Sequence, residues 1–286
     1  MFDIIIIGAG PAGITASLYT KRANLNTLVI YYPETGLFNA EKIENYYGFE
    51  EGISGKELYF AGINQAKNIG VQVTKEEVIK IEKELNNFKV ITTNNTYQSK
   101  AVILATGNQK NKPNIQGINK FEGKGISYCA ICDGFFYRNK IVAVIGNGNY
   151  AISEVNDLLN IAQKIQLLTN GKKAPEFRAN NVAINTKPIK EIRGTERVEE
   201  IELMDNTKLK VDGVFIAQGV ANSSDFAKKL GILLRNETIA VNENMETNIP
   251  GMYACGDCTG GIYQISKAVY EGMKAGFSVI QYLRRG

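Results

Sequence analysis

The opening stretch of the chain constrains its fold more than any other. Phe2 to Ile7 is an almost unbroken apolar run dominated by isoleucine, the composition of a strand buried on both faces of a parallel sheet. It feeds directly into Gly8-Ala9-Gly10-Pro11-Ala12-Gly13, after which Ile14 to Arg22 reads as a helix and Thr27 to Tyr31 as a short strand. Strand, glycine loop, helix and strand at this spacing make a βαβ unit with a dinucleotide fingerprint at its first turn. Gly8 permits the tight turn, Gly10 lets a pyrophosphate approach the backbone, and Gly13 lets the helix lie close on the sheet. Glu34, just past Pro33, stands near the position where an acidic residue takes the ribose hydroxyls. The plain alternative is a glycine-rich turn that holds no ligand.

The opening pattern recurs. Lys140 to Ile145 is a second apolar strand, followed by Gly146-Asn147-Gly148-Asn149, a helix over Tyr150 to Asn160 and a strand over Lys164 to Thr169. Between the two units lie a helix over Leu58 to Ile69, short strands over Val71 to Thr74, Val78 to Glu84 and Phe88 to Thr93, and an apolar strand over Ala101 to Ala105. Asn108 to Gly117 is polar and carries Pro113, as a domain boundary does. Val214 to Ala217 closes in Gln218-Gly219, echoing Ala105-Thr106-Gly107, and near Ala221 to Ser224 the chain crosses back. A last strand ends in Gly256-Asp257, and Ile265 to Tyr282 is the closing helix. The expected fold is α/β, with two nucleotide-binding-type (Rossmann-like) three-layer domains, the second inserted in the first. The outer domain takes 1–110 and 225–286, and the inserted one 115–222.

A length of 286 residues suits two such domains. Histidine is absent, which removes Ser-His-Asp, Cys-His and His-ligated metal chemistry. The net charge of +4 is gathered unevenly, with Lys164, Lys172, Lys173, Arg178, Lys187, Lys190 and Arg193 facing only Glu176 and Glu191. Such a patch is either solvated surface or a guide for an acidic partner. No aromatic interleaving or helix-turn-helix spacing accompanies it, so nucleic acid is not expected. No apolar run is long enough for a membrane span, and the first residues read as a strand, not a leader. Four cysteines do not make a disulfide scaffold, and a reducing cytoplasm is expected.

Those cysteines carry the chemistry. Cys129-Ala130-Ile131-Cys132-Asp133-Gly134 places a Cys-x-x-Cys pair beside a carboxylate, which suits a redox disulfide with a proton donor at hand. Two buried thiols or half of a metal knuckle would give the same spacing. Cys255-Gly256-Asp257-Cys258 repeats it, so a four-cysteine metal site, two inert thiols and an accessory thiol relay all stand as readings.

Taken together, the glycine loop, Ile43-Glu44-Asn45-Tyr46-Tyr47-Gly48, Ala105-Thr106-Gly107, Cys129 to Tyr137 and Gly256-Asp257 resemble the low-molecular-weight thioredoxin reductase family over nearly the full length. The resemblance implies a thioredoxin reductase-like fold, a homodimer, FAD in the outer domain, and thioredoxin as substrate. It implies that Gly8, Gly10, Pro11, Ala12 and Gly13 hold the FAD pyrophosphate, with Glu34, Ala105, Thr106, Gly107 and Gly256 also at the cofactor. Asn45 would lie near the flavin, Asp257 at the ribityl chain or phosphates, and Tyr263 and Gln264 toward the isoalloxazine. Cys132 would lie against the flavin, Cys129 would complete the disulfide, and Asp133 would be the general acid and base. No metal is implied.

The second glycine loop departs from the NADPH-using members. Tyr150 stands where they carry a small residue, and the strand to Thr169 is followed by Asn170-Gly171-Lys172-Lys173, without the arginines that grip a 2'-phosphate. Neither does Thr169-Asn170 supply the acid that NADH would want, and the segment beyond looks short by a helix. NAD(P)H binding is therefore not expected. The chain is most similar to the ferredoxin-dependent flavin thioredoxin reductases of anaerobic bacteria, with Tyr263 in place of the usual arginine. An NADPH-dependent thioredoxin reductase is the second reading. Gln109 to Gly117 and Gln218 to Ser224 are the expected hinges of a domain rotation.

Overall fold

The computed structural model describes residues 1–32, 36–107 and 113–285. The described residues up to Gly107 and from Asn222 onward form one compact unit, and Pro113 to Ala221 form a second. Glu34 and residues 109–112 of the first expected hinge lie outside the described residues.

The first unit begins with β1 (Phe2–Ile7), α1 (Pro11–Arg22), β2 (Thr27–Tyr31), α2 (Gly55–Asn68), β3 (Gln72–Lys75), β4 (Val78–Lys83), β5 (Phe88–Thr92) and β6 (Thr96–Leu104). Their sheet runs β3-β2-β1-β6-β5-β4. β1 is parallel to both neighbours, with Ile5 opposite Leu28 on one side and Val102 on the other, which is why its isoleucines are buried on both faces. Two helices start earlier than their apolar periodicity suggests. Pro11 opens α1 because a first-turn residue needs no amide hydrogen and its ring presets φ. Ser54 and Glu57 form a capping box ahead of Leu58, each backbone N–H donating to the other's side chain at 3.2 Å.

The second unit contains α3 (Ile118–Phe121), β7 (Ile126–Ser127), α4 (Ala130–Asp133), β8 (Ile141–Ile145), α5 (Asn149–Leu158), β9 (Lys164–Leu168), β10 (Val182–Asn185), β11 (Ile189–Arg193), β12 (Glu200–Leu203), β13 (Lys208–Lys210) and β14 (Gly213–Ile216). An all-parallel sheet runs β10-β9-β8-β14-β7, and β11, β12 and β13 make a separate antiparallel sheet. β9 and β10 are parallel neighbours, yet residues 169–181 between them form no helix, so the crossover is bare on that side. Tyr137 closes the bottom of this unit. Its ring lies over Gly213, where any Cβ would come within 2.2 Å of it, and it meets Phe215 edge-on at 5.4 Å.

The chain then returns to the first unit through α6 (Ser223–Leu230), β15 (Leu234–Arg235), β16 (Thr238–Ile239), β17 (Met252–Ala254) and α7 (Ile265–Arg285). α6 was not expected from the apolar pattern, although Asn222 and Asp225 spell its capping box. β17 pairs with Val102 to Leu104 of β6, beyond the Thr96–Ser99 stretch that pairs with β5, and this double use makes β6 longer than its apolar core. α7 lies against α1 with almost no gap. A Cβ on Gly272 would fall 2.1 Å from the Ala12 carbonyl, and Tyr19 meets Phe277 at 4.9 Å.

Three of the seven basic residues of this stretch are already paired. Lys187 reaches Asp205 at 2.5 Å, Lys190 reaches Glu202 at 2.7 Å, and Arg193 reaches Glu191 and Glu202 at 2.5 Å. Lys164, Lys172, Lys173 and Arg178 have no ion-pair partner among the described residues. The patch is therefore smaller than its residue count implies.

One buried carboxylate ties the strand ends of the first unit together. Glu76, between β3 and β4, accepts from Thr92, from Asn95 at 2.8 Å and from Tyr97 at 2.9 Å. Burial alone would raise its carboxyl, but the donors outweigh burial and hold it below the ordinary carboxylate range. A depressed carboxyl stabilises the fold above its unfolded value and loses that contribution as pH falls through its folded value. Urea unfolding between pH 7 and pH 3 should show a loss of stability that begins below about pH 4.5. Glu76→Gln should be less stable at pH 7 and show a smaller part of that loss.

Candidate functional site

The first glycine loop is built from backbone pressed on backbone. A Cβ on Gly8 would lie 2.2 Å from the Ala105 carbonyl oxygen, and one on Gly13 would lie 2.0 Å from the Gly8 carbonyl oxygen. At Gly10 nothing lies within 4 Å, so the loop opens a cradle there that a side chain would fill. α1 starts immediately behind it, with no side-chain cap and no acidic residue in its first turn. Its amides and its positive dipole end are left for an anion.

Three other segments of the same unit come to this loop. Ala105 is buried beside Gly8, the Thr106 hydroxyl lies 2.5 Å from that of Ser223, and Gly107 takes φ +73° with open space around it. Gly256 takes φ +83°, and a Cβ there would come within 2.9 Å of the Ala12 side chain, so the tail loop lies over the first turn of α1. Asn45 Nδ2 donates to Gln264 Oε1 at 3.1 Å across more than two hundred residues of sequence. Tyr47, Ile262 and Tyr263 are exposed around that pair.

A polar clamp from α7 holds the tail loop, and sequence reasoning missed it. Lys267 Nζ donates to the carbonyls of Gly256 at 2.8 Å and Gly260 at 2.6 Å, and pairs with Glu271 at 3.0 Å. Glu271 Oε2 in turn accepts from the Gly256 amide and the Thr259 hydroxyl, both at 2.8 Å. The i,i+4 spacing of Lys267 and Glu271 was the available signal, hidden because such pairs are usually solvated. The clamp fixes Asp257, whose carboxyl is raised by burial, drawn back by Lys267 and pushed up further by Glu271.

The flanking thiols of this loop are poor nucleophiles. Cys255 and Cys258 are free and buried, and burial pushes Cys258 up to about 12 and Cys255 well above the ordinary range. Cys258 Sγ donates to the carbonyls of Cys255 at 3.2 Å and Leu104 at 3.4 Å. A thiol kept protonated exchanges slowly with a disulfide, so the relay reading finds no support.

In the second unit Cys129 and Cys132 are joined as a disulfide, their Cα atoms 5.3 Å apart. Cys129 is buried and Cys132 is exposed. Ser127 organises the turn: its hydroxyl accepts the Cys129 N–H at 3.0 Å and donates to Asp133 Oδ2 at 2.6 Å. Asp133 borders a cleft of about 640 Å³ that Lys124, Phe136, Lys140 and Arg197 also line. Phe135 and Phe136 are 68% and 69% exposed, and Ile131 is exposed beside Cys132. The turn thus presents a reducible bond, a carboxylate and an apolar rim to solvent.

The second glycine loop keeps the backbone of a nucleotide-type loop, while the strand end beside it closes on itself. α5 still begins uncapped behind Gly148, and Gly146 still packs under the Ala217 carbonyl. Tyr150 does not stand in the loop: its ring is buried and its hydroxyl donates to the Tyr128 carbonyl at 3.3 Å. At the end of β9 the turn closes on itself, with the Thr169 hydroxyl on the Lys172 carbonyl at 2.5 Å and Asn170 Oδ1 accepting the Ile189 amide at 2.8 Å.

A glycine cradle under a helix terminus, in a chain that also carries a reducible disulfide, defines an FAD-type flavoprotein oxidoreductase. The chain matches the family model described as pyridine nucleotide-disulphide oxidoreductase over residues 2–272. It belongs to that family and is an FAD-dependent flavoprotein. It is 37% identical to a thioredoxin reductase of Aquifex aeolicus, with 99% of this chain and 94% of the relative covered. Among solved structures it is similar to the atypical thioredoxin reductase TRi from Desulfovibrio vulgaris Hildenborough, at a TM-score of 0.91 and 36% identity over 100% of this chain and 99% of that one. It is also similar to a ferredoxin-flavin thioredoxin reductase from Clostridium acetobutylicum, at a TM-score of 0.72 and 35% identity with the same coverage. No helix among the described residues is long and apolar enough to cross a membrane.

The residues fit the flavin dinucleotide, because the Gly10 cradle and the uncapped start of α1 supply room and donors for a pyrophosphate. Gly10→Ala should keep the fold, since its φ of −70° suits any residue, while weakening FAD binding to the apoprotein by about tenfold or more. Fluorescence titration of apoprotein with FAD reads this. Lys267→Met should orphan the Gly260 carbonyl, leave Glu271 without its cation and lower the stability of the apoprotein by about 1–3 kcal/mol, seen in urea unfolding.

Proposed function

We propose that this chain reduces the disulfide of a thioredoxin with electrons from reduced ferredoxin, through bound FAD and the Cys129–Cys132 pair. The observation that carries the choice of donor is the closed turn after β9. A 2'-phosphate needs bidentate guanidinium donors there, and the sequence from Thr169 to Lys173 has none. Asn170 and Thr169 are instead spent on the turn itself. Likeness to a protein titled ferredoxin-flavin thioredoxin reductase supports the reading.

FAD supplies the exchange between one-electron and two-electron carriers. The chain's own residues do the rest. Gly8 to Gly13 and the first turn of α1 would hold the FAD pyrophosphate, Asp257, in the loop clamped by Lys267 and Glu271, would serve its ribityl or phosphate part, and the hydrogen-bonded Asn45 and Gln264 would serve the flavin. Two electrons and two protons open the Cys129–Cys132 bond to a dithiol. A thiolate of the pair attacks the thioredoxin disulfide, the mixed disulfide forms, and the second thiol resolves it as the pair closes again. Asp133, oriented by Ser127, gives a proton to the departing sulfur. Exposed Ile131, Phe135 and Phe136 offer an apolar seat for the partner around the accessible sulfur.

Overall, two reduced ferredoxins and two protons convert one thioredoxin disulfide to a dithiol. A donor near −400 mV and an acceptor near −270 mV release roughly 6 kcal/mol for the electron pair. The reading includes a cytoplasmic homodimer, as the family resemblance implies. The NADPH-dependent alternative draws on one observation, the uncapped start of α5 behind Gly148.

Anaerobic flavin spectra decide between them. Reduced ferredoxin should bleach the flavin fully and lead to thiol release from thioredoxin, while NADPH and NADH at micromolar concentration should leave the spectrum unchanged. Rapid full bleaching by NADPH alone would establish the alternative.

A further inference from the structure

The cleft that borders Asp133 has a volume of about 640 Å³, within the range of about 300–1,000 Å³ that small organic ligands occupy. Two loops tied to each other build one wall of it. The Lys124 carbonyl accepts the Val198 N–H at 3.0 Å, and Gly125 takes φ +112° so close to Val198 that a Cβ there would fall 2.9 Å from its side chain. Lys120 Nζ, from α3, donates to the Gly194 carbonyl at 3.3 Å and ties the same loop back. Lys124 and Arg197, the residue before Val198, are therefore neighbours on the cleft.

The floor is polar and buried. Tyr137 is 6% exposed and Ser127 5%, and both line the cleft. Burial raises the Tyr137 hydroxyl, and the Arg197 charge beside it draws it part of the way back, which sets the guanidinium at the phenol end of the ring. Lys140 Nζ stands 5.9 Å from the centre of the same ring. Three cations thus gather around one buried tyrosine. None of them has an ion-pair partner among the described residues, whereas Lys190 and Arg193 of β11 are both paired. Of the two carboxylates on the cleft, Asp133 accepts from Ser127 at 2.6 Å and Glu196 is exposed.

We propose that this cleft binds a small phosphate ester, with Lys124, Lys140 and Arg197 on the phosphate and Ile126 and Phe136 against the organic part. A phosphate group offers three oxygens to a guanidinium fork and two ammonium groups, where a carboxylate offers two. Its second charge doubles the gain from the excess of cations over carboxylates. Inorganic phosphate fills only a small part of such a volume, and the rest of the wall, with the buried Ile126 and the exposed ring of Phe136, suits an apolar or aromatic carrier. The site is independent of the electron donor. Its ligand shares Asp133 and Phe136 with the partner seat described above.

The test uses the flavin-loaded enzyme, so that the cradle at Gly10 is filled. It is titrated calorimetrically at low ionic strength and about pH 8, where a phosphate ester carries close to two charges, with phenyl phosphate, inorganic phosphate and phenol in turn. Phenyl phosphate should bind once per chain and at least about tenfold more tightly than inorganic phosphate, and phenol should give no heat. Arg197→Gln and Lys140→Gln should each weaken phenyl phosphate by about tenfold. Glu196→Gln, which removes a repulsion, should tighten it by about twofold or more. Because that effect is a gain, a damaged fold cannot imitate it.

Absence of phenyl phosphate binding in wild type overturns the proposal. So does binding that is unchanged in both Arg197→Gln and Lys140→Gln, which would assign the anion to the uncapped start of α5, and so does a loss of affinity in Glu196→Gln. Equal affinity for phenyl phosphate and inorganic phosphate overturns the assignment of an ester. No turnover enters these measurements, so their failure leaves the proposed function standing.

Discussion

The structure depends on how closely the backbone of α1's first turn is approached from three sides. Gly8 meets Ala105, Gly13 meets Gly8, and Gly272 of α7 meets the Ala12 carbonyl, each at a distance that leaves no room for a methyl group. These approaches bring the end of β6, the start of α1 and the tail loop to one place. They leave open space at Gly10, so room for a pyrophosphate is what remains when the backbone beside it has been packed. The clamp of Lys267 and Glu271 then determines how the tail loop sits over that opening.

The second unit repeats the strand–loop–helix plan but puts it to a different use. Gly146 and Gly148 keep the backbone path, and α5 starts where a nucleotide helix would. Its side chains are directed at the cysteine turn instead, and the strand that should present a phosphate grip ends in a turn closed by its own hydrogen bonds. Fold alone does not assign a second nucleotide to this unit; the proposal of a protein electron donor rests on the side chains at the end of β9.

Much of this was legible in the sequence. The isoleucine run and its glycine loop declared β1 and α1, because burial on both faces and glycine-only approaches leave strong marks on composition. The Cys129–Cys132 disulfide was one reading of the Cys-x-x-Cys-Asp spacing and was implied by the family resemblance, whereas no local pattern links Asn45 to Gln264, 219 residues apart. α6 was missed because its capping box sits in a stretch that lacks an apolar rhythm of sufficient length. Lys267 and Glu271 were not singled out because a charged residue in an amphipathic helix normally faces water; here burial turns both of them inward, and burial is a property of tertiary packing. Tyr150 was noticed for the wrong reason: its ring does not crowd the loop but descends into the unit.

The notch at Gly213 has a consequence for motion. Tyr137 sits in it, three residues past Gly134, and the strand beneath, β14, pairs with β8 on one side and with the short edge strand β7 on the other. Segments bearing reactive cysteines are often among the first parts of a protein to open, because surface turns are tied down weakly. This one is keyed by an aromatic ring against a strand that is buried along its length. Amide protection of the cysteine turn should therefore follow that of the sheet, and breathing that exposes Cys129 would require the sheet itself to come apart.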